Sequence, residues 1–159
     1  MTFAESVRPS PHFTPARVHE QLGVLVHHSV LPFDQTISRM LDPASEVSYH
    51  VLIAPDGNRC TLVSDERVAW HAGVSTFQGR TGCNFFLLGL AFAGDTYQSP
   101  LSPAQIESAL EWLAPRWQHR AWTLACITDH RQVSPGRKDD LNPVEWARFH
   151  AAVAARFGR

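Results

Sequence analysis

Apolar residues fall along this chain in two patterns, short unbroken runs and stripes at helical spacing. The runs predict strands and the stripes predict helices. Gly23-Val-Leu-Val-His-His28 reads as a buried strand that ends abruptly in two imidazoles. Asp34 offers an N-cap to a short helix over about 35–41, which Asp42-Pro43 stops. A second strand over 48–54 runs into the turn signal Pro55-Asp56-Gly57-Asn58, and 59–63 returns as its hairpin partner. A polar, glycine-containing loop leads to Asn84, after which 85–93 is a continuous apolar run with Gly89 inside it, as in a central strand. Ser102-Pro103-Ala104-Gln105 combines capping-box spacing with proline at the first helical position. Ile106, Leu110, Leu113 and Trp117 then continue at helical spacing. Residues 124–128 form the last predicted strand, and Asn142-Pro143-Val144-Glu145 opens a final helix with Trp146, Phe149, Val153 and Phe157 on one stripe. The predicted class is α/β, a central mixed β-sheet flanked by helices. Residues 1–22, interrupted by Pro9, Pro11 and Pro15 and without periodicity, read as an irregular N-terminal arm ahead of a single domain over 23–159.

Composition leaves this picture intact and narrows the functions. A chain of 159 residues with 44% hydrophobic and 18% charged residues is one ordinary globular domain. The net charge of −1, with Lys and Arg scattered, speaks against nucleic acid as a partner. No run approaches the eighteen or so apolar residues that a membrane span needs, so no membrane partner is expected. Cys60, Cys83 and Cys126 are odd in number and far apart, which speaks against a disulfide framework and a cysteine-rich zinc site. With no signal-like run in the first twenty residues, a reducing compartment, the cytoplasm, is expected. An exported chain trimmed of its signal would read the same. A monomer is expected.

The candidate chemistry lies where elements end. His27 and His28 finish the first strand, and His130 finishes the last apolar run. Lys138, Asp139 and Asp140 follow across a loop that breaks at Ser134-Pro135-Gly136. Two imidazoles and a carboxylate, each from a strand end or an adjoining loop, make an open three-ligand set suited to catalytic zinc. Strand alternation admits only one of His27 and His28 to such a set. Spacing alone does not separate a metal site from a structural polar cluster. His12, His19, His119 and His150 read as packing or surface residues.

Seven motifs recur in a shared order: Val26-His27-His28-Ser29, Ser48-Tyr49-His50-Val-Leu-Ile53, Asp56-Gly57, Ala69-Trp-His-Ala-Gly73, Gln78-Gly-Arg80, Cys83-Asn84 and His130-x4-Pro135-x2-Lys138-x-Asp140. Together, over about 23–150, they resemble the zinc-dependent N-acetylmuramoyl-L-alanine amidases. This is the amidase-2 family, shared with phage lysozyme-type amidases and peptidoglycan recognition proteins. The loop from Ala69 to Asn84 is most similar to the family's cytoplasmic 1,6-anhydro-muropeptide branch. The resemblance implies Zn2+ held by His27, His130 and Asp140, with Lys138 stabilising the tetrahedral intermediate. It also implies a muropeptide or peptidoglycan substrate, with Trp70, His71, Arg80 and Asn84 as candidate contacts.

Departures from the family pattern bear on activity. The anhydro-muropeptide branch carries a glutamate general base on its central strand, and the matching position here is Ala91, which cannot accept a proton. Phage-type members lack that glutamate and place a tyrosine immediately before the second-strand histidine, as Tyr49-His50 does here. A phenol could orient the attacking water, although an unperturbed pKa near 10 makes it a weak base. Gly82 stands where an arginine is expected, Ala54-Pro55 replaces a basic pair, and Leu141-Asn142 replaces Pro-Gly. The expected function is zinc-dependent hydrolysis of the amide between N-acetylmuramic, or 1,6-anhydro-N-acetylmuramic, acid and L-alanine, with Lys138 and Tyr49 catalytic. The alternatives are a non-catalytic muropeptide-binding module, for which Ala91 speaks, and a zinc hydrolase acting on another acyl-amide.

Overall fold

The computed structural model describes residues 2–158. Strand β1 (Glu5–Val7) and the two-residue β2 (Phe13–Thr14) precede β3 (Gly23–His28). Helix α1 (Phe33–Leu41) leads to the hairpin of β4 (Val51–Ile53) and β5 (Arg59–Thr61). Short strands β6 (Val68–Ala69), β7 (Thr76–Phe77) and β8 (Arg80–Thr81) lie ahead of β9 (Leu87–Phe92). Helix α2 (Pro103–Arg120), β10 (Ile127–Asp129), α3 (His130–Val133) and α4 (Pro143–Phe157) complete the chain. Six strands form one sheet in the order β1-β5-β4-β9-β3-β10, parallel throughout except for the β4–β5 hairpin. This is the mixed sheet with flanking helices that the sequence predicts.

Central parallel strands are buried on both faces, which is why they read as unbroken apolar runs. Alternation still divides them. Val24, Val26, Leu88, Leu90 and Phe92 pack with Leu113 of α2 and Phe149 of α4. Ala91 and Leu52 face the other way, against Ile37 and Met40 of α1. The start of α2 is fixed by a complete capping box: Ser102 Oγ accepts from Gln105 N at 3.0 Å and Gln105 Oε1 accepts from Ser102 N at 3.1 Å. Asn142 Oδ1 likewise accepts from Val144 N at 3.0 Å, with Pro143 opening α4.

Boundaries differ from the sequence reading in several places. Residues 5–7 are an edge strand rather than irregular arm, tied to β5 through Glu5 and Arg59 at 3.1 Å. All three residues of that strand are exposed, so it carries no apolar signal. Helix α1 begins at Phe33 behind Pro32, and Asp34 sits in its first turn, where a carboxylate suits the helix dipole. The strand predicted over 48–54 shortens to 51–53, and Ser48 spends its backbone N–H on the carbonyl of Trp70 at 2.9 Å, outside the main sheet. Residues 124–126 form a 3-10 turn capped by Thr123, and β10 starts only at Ile127. Among the described residues, no helix is long and apolar enough to cross a membrane.

Candidate metal centre

Strands β3 and β10 are parallel neighbours in the register Val26–Asp129, so the residues that follow leave the sheet side by side at its carboxyl edge. In α/β sheets this is the edge where ligands bind. His27 falls on the face opposite Val24 and Val26, while His28 turns towards the loop after β9, its Nδ1 accepting from Thr96 N at 3.1 Å. His130 opens α3, whose first turn is capped by Asp129 Oδ1 accepting from Gln132 N at 3.2 Å. Asp140 returns to the same place because its carbonyl accepts from Arg131 N at 2.7 Å, and its carboxylate accepts from His28 N at 3.3 Å.

The three side chains converge. His27 Nδ1 lies 3.0 Å from His130 Nδ1. Asp140 places one oxygen 3.5 Å from the first and the other 3.4 Å from the second. Their ligating atoms all lie within 4.8 Å of one another, and the residues are only 1%, 4% and 6% exposed. The surrounding hydrogen bonds decide where the imidazole protons sit. His130 Nε2 is 2.8 Å from the carbonyl of Ala72, which can only accept, so that nitrogen carries the proton. His71 Nε2 is 3.0 Å from the carbonyl of Leu87, which can only accept, so His71 carries its proton on Nε2 and its Nδ1 is left to accept from His27 Nε2 at 2.9 Å. In their neutral forms both facing Nδ1 atoms are therefore bare lone pairs, set beside a carboxylate.

Three acceptors with no hydrogen between them call for a cation. A proton is a poor filler, because burial, reinforced by neighbouring His130, lowers the His27 pKa to about 4. Burial works to raise Asp140, but the facing imidazoles of His130 and His27 outweigh this and hold the carboxyl well below the usual range. Two imidazole nitrogens and one carboxylate oxygen fit a divalent metal of the zinc type, with a coordination position left open.

A cavity of about 230 Å³ opens over this set, bordered also by Tyr49, Lys138, Trp70, Arg39 and Met40. The Tyr49 ring lies 5.2 Å from that of His27. Burial first, and Asp140 second, push its phenol pKa upward, so at neutral pH it is a protonated hydroxyl. Ala91 pairs with His27 in the sheet register and is fully buried in the apolar cluster beneath α1, against which Tyr49 also packs. Lys138 is exposed at the cavity rim. A neighbouring cavity of about 650 Å³ between Phe33, Phe92 and Leu101 brings no imidazole to its wall.

The expected substrate contacts divide. Trp70 borders the cavity, its indole N–H donating to Thr14 Oγ1 at 2.9 Å. His71 borders it too, but both its ring nitrogens are committed to protein groups. Asn84 is not among the lining residues; its Oδ1 accepts from the backbone N–H groups of His71 and Ala72 at 3.0 and 2.8 Å. Arg80 stands in β8, paired with Glu20 and 4.3 Å over the Phe86 ring, at a different cavity. Arg39 is the residue that sequence reasoning missed. Thr36, Arg39 and Met40 all border the cavity, and this i, i+3, i+4 stripe on α1 was the available signal.

The sequence profile described as N-acetylmuramoyl-L-alanine amidase matches residues 18–143. The 1,6-anhydro-N-acetylmuramyl-L-alanine amidase AmpD of Enterobacter cloacae is 33% identical over 168 residues, covering 91% of this chain and 88% of its own. The crystal structure of a selenomethionine AmpD derivative matches with a TM-score of 0.79 at 28% identity, over 96% of both chains. AmiD from E. coli, complexed with anhydro-N-acetylmuramic acid-L-Ala-D-gamma-Glu-L-Lys, matches with a TM-score of 0.72 at 24% identity. That match covers 87% of this chain and 60% of AmiD, and it is a likeness of fold.

Proposed function

Because this chain belongs to the N-acetylmuramoyl-L-alanine amidase family, we propose that it hydrolyses the amide between N-acetylmuramic acid, or its 1,6-anhydro form, and the L-alanine of a muropeptide, with zinc held by His27, His130 and Asp140. The observation that carries the reading is the convergence of two bare imidazole nitrogens and a carboxylate at the mouth of a cavity. Zinc bound there would polarise a carbonyl and bring the pKa of water to about 7.

The chain's own groups account for the rest. The Lys138 ammonium borders the cavity and donates to the oxyanion that develops on the scissile carbonyl. Tyr49 keeps its proton at neutral pH, which makes it a positioning hydroxyl for the attacking water rather than a base. With water of that acidity supplied, ionisation at neutral pH does not depend on a carboxylate at position 91. Arg39 gives the cavity a cationic group for a carboxylate of an acidic stem peptide, in place of those missing at Gly82 and Ala54. The proposal extends to a reducing compartment, most simply the cytoplasm, in keeping with the unpaired Cys60, Cys83 and Cys126.

Ala91 favours one rival, a muropeptide-binding module without turnover. Incubation with soluble anhydro-muropeptides and with intact sacculi separates the readings. Free stem peptide supports the amidase and its source identifies the substrate; saturable binding with no peptide released supports the rival. Tyr49 has a separate test. Tyr49→Phe is expected to lower kcat by about 100-fold, the scale of a misplaced reacting group, with zinc content unchanged. A wild-type rate would remove Tyr49 from the mechanism.

A further inference from the structure

His71 and Ala72 are consecutive residues in the loop between β6 and β7, yet each ends on a different metal-site imidazole. His71 Nδ1 lies 2.9 Å from His27 Nε2, and the Ala72 carbonyl lies 2.8 Å from His130 Nε2. We propose that this dipeptide is an orienting clamp for both imidazoles, in which His71 is a positioning residue that fixes the Nε2–H tautomer of His27 and is not a substrate contact. The proposal rests on the zinc reading above and adds an outer partner to it.

The clamp is itself held on every side. The Leu87 carbonyl accepts from His71 Nε2–H at 3.0 Å and thereby dictates that Nδ1 is an acceptor. The imidazole lies directly on β9, where a Cβ at Gly89 would stand 2.7 Å from His71 Cγ, so the missing side chain of Gly89 is what admits the ring. Asn84 Oδ1 binds both backbone N–H groups of the dipeptide at 3.0 and 2.8 Å. Arg137 donates to the same Ala72 carbonyl at 2.6 Å. A neutral imidazole can carry its proton on either nitrogen, and only the Nε2–H form of His27 leaves Nδ1 free to face His130 and Asp140. Fixing that form from outside the ligand set is how outer partners tune a metal site, and losing one typically costs 10–100-fold in affinity. The loop motif that resembles a substrate-binding element thus works from behind the ligands, and Asn84 and Gly89 belong to the same assembly.

The test uses His71→Leu, which removes the acceptor and keeps comparable bulk, and His71→Asn, whose amide oxygen can stand near the Nδ1 position. Zinc affinity is read by chelator competition, KM for anhydro-muropeptide at saturating zinc, and the His27 tautomer by imidazole 15N shifts in the zinc-free protein. The Leu variant is expected to bind zinc about 10–100-fold more weakly, with KM near wild type once zinc saturates, and the Asn variant to recover most of that loss. Wild-type zinc affinity in the Leu variant, or a raised KM with zinc affinity unchanged, would overturn the clamp. Should the Leu variant fail to fold, the zinc-free wild-type protein decides: His27 as Nε2–H supports the proposal and as Nδ1–H overturns it. If the wild-type chain binds no zinc, the metal reading fails by itself and the tautomer measurement still stands.

Discussion

Asp140→Asn is expected to lose zinc and amide hydrolysis together while keeping its fold. Asp140 contributes the anionic member of the converging set, and its oxygens stand 3.4 and 3.5 Å from the two imidazole nitrogens at 6% exposure. A carboxamide has nearly the same shape and can still accept from His28 N, so the backbone around Leu141 has no reason to move. What disappears is the charge opposite a divalent ion, in a place where water cannot replace it. Zinc affinity should fall by well over the ~10–100-fold that follows loss of an outer partner, and turnover should fall to background. Metal analysis, peptide release and circular dichroism read the three parts separately. Stoichiometric zinc with ordinary turnover in the variant would remove Asp140 from the site. Its neighbour Asp139 is exposed and offers its backbone carbonyl to the Tyr97 hydroxyl at 2.7 Å, which makes Asp139→Asn the natural control.

Lys138→Met should act on the chemistry and leave the metal alone. The lysine is exposed at the cavity rim and takes no part in the ligand set. Its removal leaves zinc content and fold as they are. A donor aimed at a developing oxyanion is worth about 10²–10³ in kcat, and that is the loss expected, with a smaller change in KM. Equal losses in kcat and kcat/KM would mark an interaction made only in the transition state. A raised KM with kcat intact would instead make Lys138 a carboxylate contact. Lys138→Arg should recover only part of the rate, because a broad guanidinium does not reproduce a point charge.

Much of this site was legible because it follows from local rules. Alternation along Gly23–His28 admits one imidazole to each face, and the structure sends His27 to the cluster with His130 and Asp140 and His28 to Thr96. The caps at Ser102 and Asn142 are short-range chemistry and sit where the sequence places them. What escaped depends on tertiary placement. The polar residues of the Trp70–Asn84 loop look like ligand contacts, yet His71 and Asn84 spend their polar atoms on His27, on the Leu87 carbonyl and on backbone N–H groups that only the folded loop brings near. Arg80 is drawn to Glu20, a partner sixty positions away. Arg39 was hidden for the opposite reason: its helical stripe is plain, but which face of α1 borders a cavity is set by how α1 docks on the sheet. The exposed edge strand β1 has no apolar pattern to read.

His27, His130 and Asp140 are proposed to hold a zinc ion on which cleavage depends, even with alanine at position 91. Titrating zinc into chelator-stripped protein while following stem peptide released from anhydro-muropeptide tests it directly. Activity should be absent at first, rise with added zinc, level off at about one ion per chain, and vanish again when chelator is returned. Peptide release that ignores zinc and chelator, or one bound zinc with no peptide released from any muropeptide, would contradict it.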